Sequence, residues 1–184
     1  MADFCVTLKA LLTLCLFLIV QSVQAASFSG KVLSVIDGDT IIVMAGNKEK
    51  AKIRLAGIDA PESEQSMGKE SKEALSAMVS GKQVTVRWEK KDDYGRFIGD
   101  IYIGKLWVNQ KMVALGWAWH YKNYSKDKRL AQAQTTAKAD LKGIWIDKAA
   151  LPPWDWRKRN KQPSRNASSP KDKRRSLRDR PLIK

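Results

Sequence analysis

Between residues 28 and 103 the sequence breaks into five short runs of β-forming residues, separated by turn signals and interrupted by a single helical stretch. This rhythm constrains the chain more than any bulk property, because evenly spaced short strands must pair with one another to bury their apolar faces. Phe28, Val32 and Val35 mark the first run and Ile41, Ile42 and Val43 the second, with Asp37-Gly38-Asp39 as the turn between them. A second turn at Ala45-Gly46-Asn47 leads into Ala51-Lys52-Ile53-Arg54-Leu55, which alternates as a half-buried strand does. Residues 83–88 (QVTVRW) alternate as a fourth strand, and residues 97–103 form a fifth after a charged turn at 89–95.

Helical periodicity appears in three places. Residues 66–80 put Met67, Ala74, Leu75, Met78 and Val79 on one face, with Gly81 placed to end the helix. Residues 108–115 form a short helix stopped by Gly116, and Leu130, Ala133, Ala137 and Leu141 mark a third, stopped by Gly143. Ala60-Pro61-Glu62 breaks regular structure, since Pro61 lacks a donor and disfavours helix at Ala60. Five strands, one helix between the third and fourth, and two helices afterwards give an α+β, Greek-key β-barrel with helices. This is a five-stranded OB-fold barrel plus three α-helices, whose face and loops commonly hold nucleic acid.

The ends of the chain are of a different kind. Residues 10–20 (ALLTLCLFLIV) are an unbroken apolar run preceded by Lys9 and followed by Val23-Gln24-Ala25, a small-residue cleavage pattern. This reads as a secretory signal over residues 1–25, cut after Ala25. The run falls short of the roughly 20 apolar residues a spanning helix needs, so no membrane span is expected once it is removed. A retained anchor is the alternative. Cys5 and Cys15 both lie in this segment, so the mature chain would fold without disulfides and without a thiol nucleophile or thiolate metal site. Export to the periplasm or beyond the cell follows from the same reading.

Net charge is +15, unevenly spread: residues 157–184 carry +10 and the preceding 156 residues +5. The domain is therefore assigned to residues 26–150, and residues 151–184 to a disordered basic tail entered through the stiff segment LPPWDW. A field of this sign draws polyanions, of which nucleic acid is the commonest. The tail reads as an electrostatic tether to nucleic acid, with an anionic cell surface as the alternative.

Asp39, Asp59 and Glu62 form an oxygen-rich cluster if their strands pair, and hard divalent cations require carboxylate and carbonyl oxygens. Arg54 and Arg96 supply guanidinium groups that fork onto phosphate oxygens. A cation, two arginines and a carboxylate able to activate water suffice for phosphodiester hydrolysis. Each acid taken singly is also an ordinary turn residue. His120 is the only histidine and sits in an aromatic stretch, which points to a structural part and away from histidine-based nuclease chemistry.

The combined blocks Val35-Ile36-Asp37-Gly38-Asp39-Thr40, Ile53-Arg54-Leu55-Ala56-Gly57-Ile58-Asp59-Ala60-Pro61-Glu62 and Asp93-Tyr94-Gly95-Arg96, with a later Gly143-Ile144-Trp145, resemble the staphylococcal nuclease (thermonuclease, micrococcal nuclease) family. The resemblance covers residues 28–145. It implies an OB-type barrel with three helices, Ca²⁺ as cofactor, and endonucleolytic cleavage of DNA and RNA to 3′-phosphate and 5′-hydroxyl ends, with single-stranded or unpaired regions favoured and the enzyme a monomer. By motif position it implies metal binding by the Asp39 and Asp59 carboxylates and by the main-chain oxygen of Ala60, where the family often has threonine. Arg54 and Arg96 would neutralise the phosphate, and Glu62 would position or deprotonate water. Tyr94 would lie beside the nucleotide, and Tyr121 is a second candidate for base stacking. The segment after Glu62 is shorter than in the best-known member.

Tryptophan enters twice. Trp88, Trp107 and Trp145 read as core and barrel-edge packing, while Trp117 and Trp119 are balanced between packing and base stacking. The alternative to an enzyme is a non-catalytic OB-fold nucleic-acid-binding module. That reading expects loss of a carboxylate or arginine from the set, and every one is present.

Overall fold

A computed structural model describes residues 26–46 and 48–161. The secretory signal expected at 1–25 and most of the basic tail expected at 151–184 lie outside the described residues. Eight strands are present among them: β1 (Ala26–Asp37), β2 (Thr40–Ala45), β3 (Lys50–Leu55), β4 (Ile58–Asp59), β5 (Gln83–Lys91), β6 (Phe97–Ile103), β7 (Leu106–Trp107) and β8 (Trp119–His120). Four α-helices accompany them: α1 (Gly68–Val79), α2 (Val108–Ala114), α3 (Lys128–Ala139) and α4 (Pro153–Lys161), with a 3₁₀ turn at Gly143–Ile146.

The five long strands are the five read from the sequence. They run in the order β3-β2-β1-β5-β6, all antiparallel, and the sheet closes through a parallel pairing of β3 with β6 (Ile53 to Phe97, Arg54 to Ile98, Leu55 to Gly99). The result is a closed five-stranded OB-type barrel. β5 runs three residues past Trp88, through an irregularity between Trp88 and Lys90, so the charged turn is confined to residues 92–95.

Alternation fixes which faces point inward. Val32, Ile41, Val43, Ile53, Leu55, Val84, Val86 and Ile101 are all buried, and Leu75 and Val79 of α1 close one end of the barrel. Each such side chain contributes about 1.5–3 kcal/mol when removed from water, which is how the barrel coheres without disulfides. The parallel closure has its own fastening. Asn109 of α2 is fully buried; its amide nitrogen donates to the carbonyls of Ala56 (3.0 Å) and Gly99 (3.2 Å), and its Oδ1 accepts from the Ile101 N–H (3.0 Å).

Two sequence expectations need correction. There are four α-helices among the described residues, not three, and the segment after residue 150 is not simply a tail: residues 153–161 form α4. Pro153 stands at the first helical position, where its missing N–H costs nothing, and Asp155 in the first turn complements the helix dipole. Tertiary contacts then hold the helix. The Trp154 ring stacks on Tyr121 (centroids 5.1 Å apart, planes 6° apart), and Gln65 donates to the Leu151 carbonyl at 2.5 Å.

The tryptophans divide as packing demands. Trp107 and Trp145 are buried, and Trp88 packs edge-on to Phe97 at 4.7 Å. Trp119 is buried edge-on to Trp145, and Trp117 packs between the two apolar clusters, so packing wins for both. His120 is buried, with its Nε2 3.0 Å from the Ser125 carbonyl.

Candidate active site

The site grows from two turns that the barrel brings together. At the β1–β2 turn the Asp39 N–H donates to Asp37 Oδ1 (3.0 Å), an Asx turn that points the Asp39 carboxylate away from solvent. Gly38 is required here, because a Cβ at this position would lie 1.9 Å from Ser71 Oγ of α1. The second turn follows β3. Gly57 carries the chain into β4, where Ile58 pairs with His120 and Asp59 with Trp119. This two-residue pairing is too short to show in the sequence, yet it fixes Asp59 in the interior.

The two aspartates meet through Arg54. Its Nη1 lies 2.8 Å from Asp39 Oδ2 and its Nη2 2.6 Å from Asp59 Oδ1, while Nη1 also donates to the Ile58 carbonyl at 3.0 Å. Asp39 and Asp59 are 5 % and 1 % exposed, so this is a guanidinium clamped between buried carboxylates. The Ala60 N–H donates to Asp39 Oδ2 at 2.7 Å, and the Thr40 hydroxyl to Asp39 Oδ1 at 3.1 Å. Burial pushes the Asp39 carboxyl up to about 7; Arg54 and the Ala60 N–H oppose this, while Asp37 and Asp59 add to it.

Glu62 sits on the loop leading to α1, which reaches in close. The Gln65 N–H donates to the Glu62 carbonyl at 2.9 Å, and a Cβ on Gly68 would lie 2.0 Å from that oxygen, so only glycine permits the approach. α1 therefore begins at Gly68, two residues after its expected start.

Arg96 immediately precedes β6, the strand that pairs with β3 beside Arg54. Its Nε lies 2.7 Å from Asp92 Oδ2, and its N–H and that of Tyr94 both donate to Asp92 Oδ1. Burial works against ionisation of Asp92, but these hydrogen bonds and the guanidinium charge outweigh it and hold the carboxyl below its ordinary value. Tyr94 is 84 % exposed, with its ring 5.5 Å from the Arg96 guanidinium.

All eight residues singled out from the sequence (Asp39, Arg54, Asp59, Ala60, Glu62, Tyr94, Arg96 and Tyr121) line one cleft of about 740 Å³. Sequence reasoning missed several of its neighbours. Lys90, Lys91 and Asp92 line it from the end of β5 and the turn beyond, and Tyr124 from the segment after β8. Most notable is Arg157 of α4. Its Nη2 lies 2.8 Å from Asp59 Oδ2 and its Nη1 2.6 Å from Glu62 Oε1. Burial alone would lower the Arg157 pKa, but the hydrogen bonds to Asp59 and Glu62 dominate and raise it. The available signal was the Pro153 start, which puts Trp154 and Arg157 three residues apart on one helix face.

The closed OB-type barrel gathers carboxylates and guanidinium groups in one cleft, a set suited to binding phosphodiesters. Residues 52–147 match the family model described as "Staphylococcal nuclease homologue". The chain is 40 % identical over 153 residues to an "Uncharacterized endonuclease" of Escherichia coli, covering 83 % of this chain and 99 % of that protein. It is 37 % identical over 155 residues to an "Uncharacterized endonuclease" of Haemophilus influenzae, covering 83 % and 87 %. It is 46 % identical over 110 residues to a "Probable staphylococcal-like nuclease" of Oryza sativa, covering 60 % of this chain and 33 % of that one. The chain belongs to the staphylococcal nuclease family.

Proposed function

We propose that the protein is an exported endonuclease that hydrolyses phosphodiester bonds in DNA and RNA with the help of Ca²⁺. It leaves 3′-phosphate and 5′-hydroxyl ends and favours unpaired strands. One observation carries the reading: Arg54 is clamped by Asp39 and Asp59 in the same cleft that holds Glu62 and Arg96.

The residues fit a hard divalent cation. Among the described residues no group of three or more His, Cys, Asp or Glu side chains converges, so the Asp39 and Asp59 carboxylates, the Ala60 carbonyl and water would make up the shell. Such all-oxygen sets suit Ca²⁺. The Asp39 carboxyl, raised to about 7, is a buried acid that one guanidinium does not fully compensate, and added positive charge would favour its ionised form. When bound, the cation supplies Lewis-acid polarisation of the phosphoryl oxygens.

The chain's own groups supply the rest. Arg54 and Arg96 hold non-bridging phosphate oxygens from neighbouring positions, on β3 and just before β6, and neutralise charge as it builds. Glu62 orients the attacking water and accepts its proton at the carboxylate; the water oxygen bonds to phosphorus, the bond from phosphorus to the 5′ oxygen breaks, and that oxygen takes a proton from solvent to leave as the hydroxyl. Exposed Tyr94 offers a stacking face for a neighbouring base. Tyr121 is already stacked on Trp154, so it presents its ring to the cleft as part of a pair. The basic segment beyond α4 tethers nucleic acid, each neutralised phosphate steepening the log–log salt dependence by about 0.9 on duplex DNA. Among the described residues no helix is long and apolar enough to cross a membrane.

The test is incubation of the mature chain with denatured DNA and with RNA, in Ca²⁺ or excess chelator, followed by end-group analysis. Products with 3′-phosphates formed only with Ca²⁺ are expected. Absence of cleavage, or 5′-phosphate ends, would contradict the proposal. Cell fractionation with and without residues 1–25 tests export.

A further inference from the structure

Both oxygens of Asp59 are already engaged by guanidinium groups. Its Oδ1 lies 2.6 Å from Arg54 Nη2 and 3.3 Å from Arg157 Nη1, and its Oδ2 lies 2.8 Å from Arg157 Nη2. The same Arg157 guanidinium takes Glu62 Oε1 at 2.6 Å. The Arg54 contact belongs to the interior of the barrel, where that side chain is also held by Asp39 and two main-chain carbonyls. Arg157 comes from outside the barrel, on a helix attached by the Trp154–Tyr121 stack and the Gln65–Leu151 hydrogen bond. Its side chain remains 33 % exposed, so it can swing out where Arg54 cannot.

We infer that Arg157 is an internal cation that competes with the divalent metal for Asp59 and holds Glu62 in the metal-free protein. The inference rests on the metal site proposed above. A guanidinium bridging two carboxylates replaces the charge a metal would bring, and the two cations repel across the same oxygens. Occupancy by one therefore weakens the other, and by linkage the coupling is reciprocal. The C-terminal helix thus keeps the site charge-compensated until metal arrives. Once freed, the Arg157 fork faces the cleft, where a phosphate is its best-matched partner.

Equilibrium dialysis of radiolabelled Ca²⁺ against the full chain, without nucleic acid, tests this. A side chain that merely supports the site loses affinity when removed, whereas removing a competitor gains it. Arg157→Ala is expected to tighten the calcium dissociation constant by about tenfold, within the usual range of coupling between sites. Arg157→Lys, which keeps the charge but loses the fork, should gain less. Trp154→Ala, which loosens α4 without touching the guanidinium, should shift affinity in the same direction and serves if Arg157→Ala folds poorly. Unchanged or weaker binding in both Arg157→Ala and Trp154→Ala overturns the inference. Asp59→Asn separates the two levels. If it abolishes binding while the Arg157 and Trp154 variants stay at the wild-type value, the inference alone fails; if Asp59→Asn binds Ca²⁺ as wild type does, the metal site and the inference fail together.

Discussion

Arg54 and Arg96 line one cleft, on β3 and just before the neighbouring strand β6, yet they are held by opposite means. Arg54 lies near the end of β3, at the closing seam of the barrel, its side chain 14 % exposed, bound by two interior carboxylates and two main-chain carbonyls. Arg96 lies at the mouth of a hairpin, 26 % exposed, paired with a single acid four residues before it. The first is part of the fold and the second is an attachment to it. A phosphate arriving between them meets one guanidinium already fixed in place and another that can trade Asp92 for a phosphate oxygen. The site thus combines preorganisation with adaptability, at the cost of making Arg54 answer to both stability and activity.

Substitution at Arg54 should break this contrast most sharply. Arg54→Ala strands the buried Asp39 carboxylate and leaves Asp59 to Arg157 alone, and loss of one partner of a buried pair costs about 3 kcal/mol or more. Thermal or urea unfolding should show that loss, along with a fall in cleavage of at least about 100-fold. Arg96→Ala should match the activity loss while leaving stability within about 1 kcal/mol, since its pair is partly solvated. Equal destabilisation by the two variants would refute the distinction. Asp92→Asn should have the smallest effect, a few-fold change in rate arising from a less ordered Arg96. It also carries a pH signature. Because Asp92 is held below its ordinary value in the folded state, its contribution to stability is present above about pH 4 and is lost as pH falls through the lower folded value. Asp92→Asn should therefore lower stability slightly near neutrality and flatten the stability profile below about pH 4, where the wild-type chain loses the same contribution.

What the sequence revealed follows the same division. Turn chemistry is local, so Asp37-Gly38-Asp39 and the charged stretch 89–95 declare themselves as strand junctions through their own residue types, and runs of β-forming residues mark all five barrel strands. The family blocks then locate seven of the eight expected site residues in the cleft, Tyr121 lying outside them. Features whose stability comes from distant partners were not legible. The β4–β8 pairing has two residues on each side and no periodicity of its own, yet it buries Asp59. Asn109 looks like any polar helix residue until the carbonyls of Ala56 and Gly99 surround it. α4 is rich in charge and nearly devoid of aliphatic residues, so composition alone suggests a tail; Trp154 and Arg157 dock it from one face. Trp117 and Trp119 are balanced between bases and core by sequence, and the neighbouring Trp145, Ala137 and Ile144 decide for the core.

The central claim is that this cleft hydrolyses phosphodiesters with Glu62 acting on water. Single-turnover cleavage of denatured DNA in saturating Ca²⁺, comparing the wild-type chain with Glu62→Gln, tests it most directly. The amide keeps the size and loses the charge and the basic oxygen, so the rate should fall by at least about 100-fold, the scale of a positioned general base, with oligonucleotide binding retained. A Glu62→Gln variant that cleaves at the wild-type rate would contradict the account.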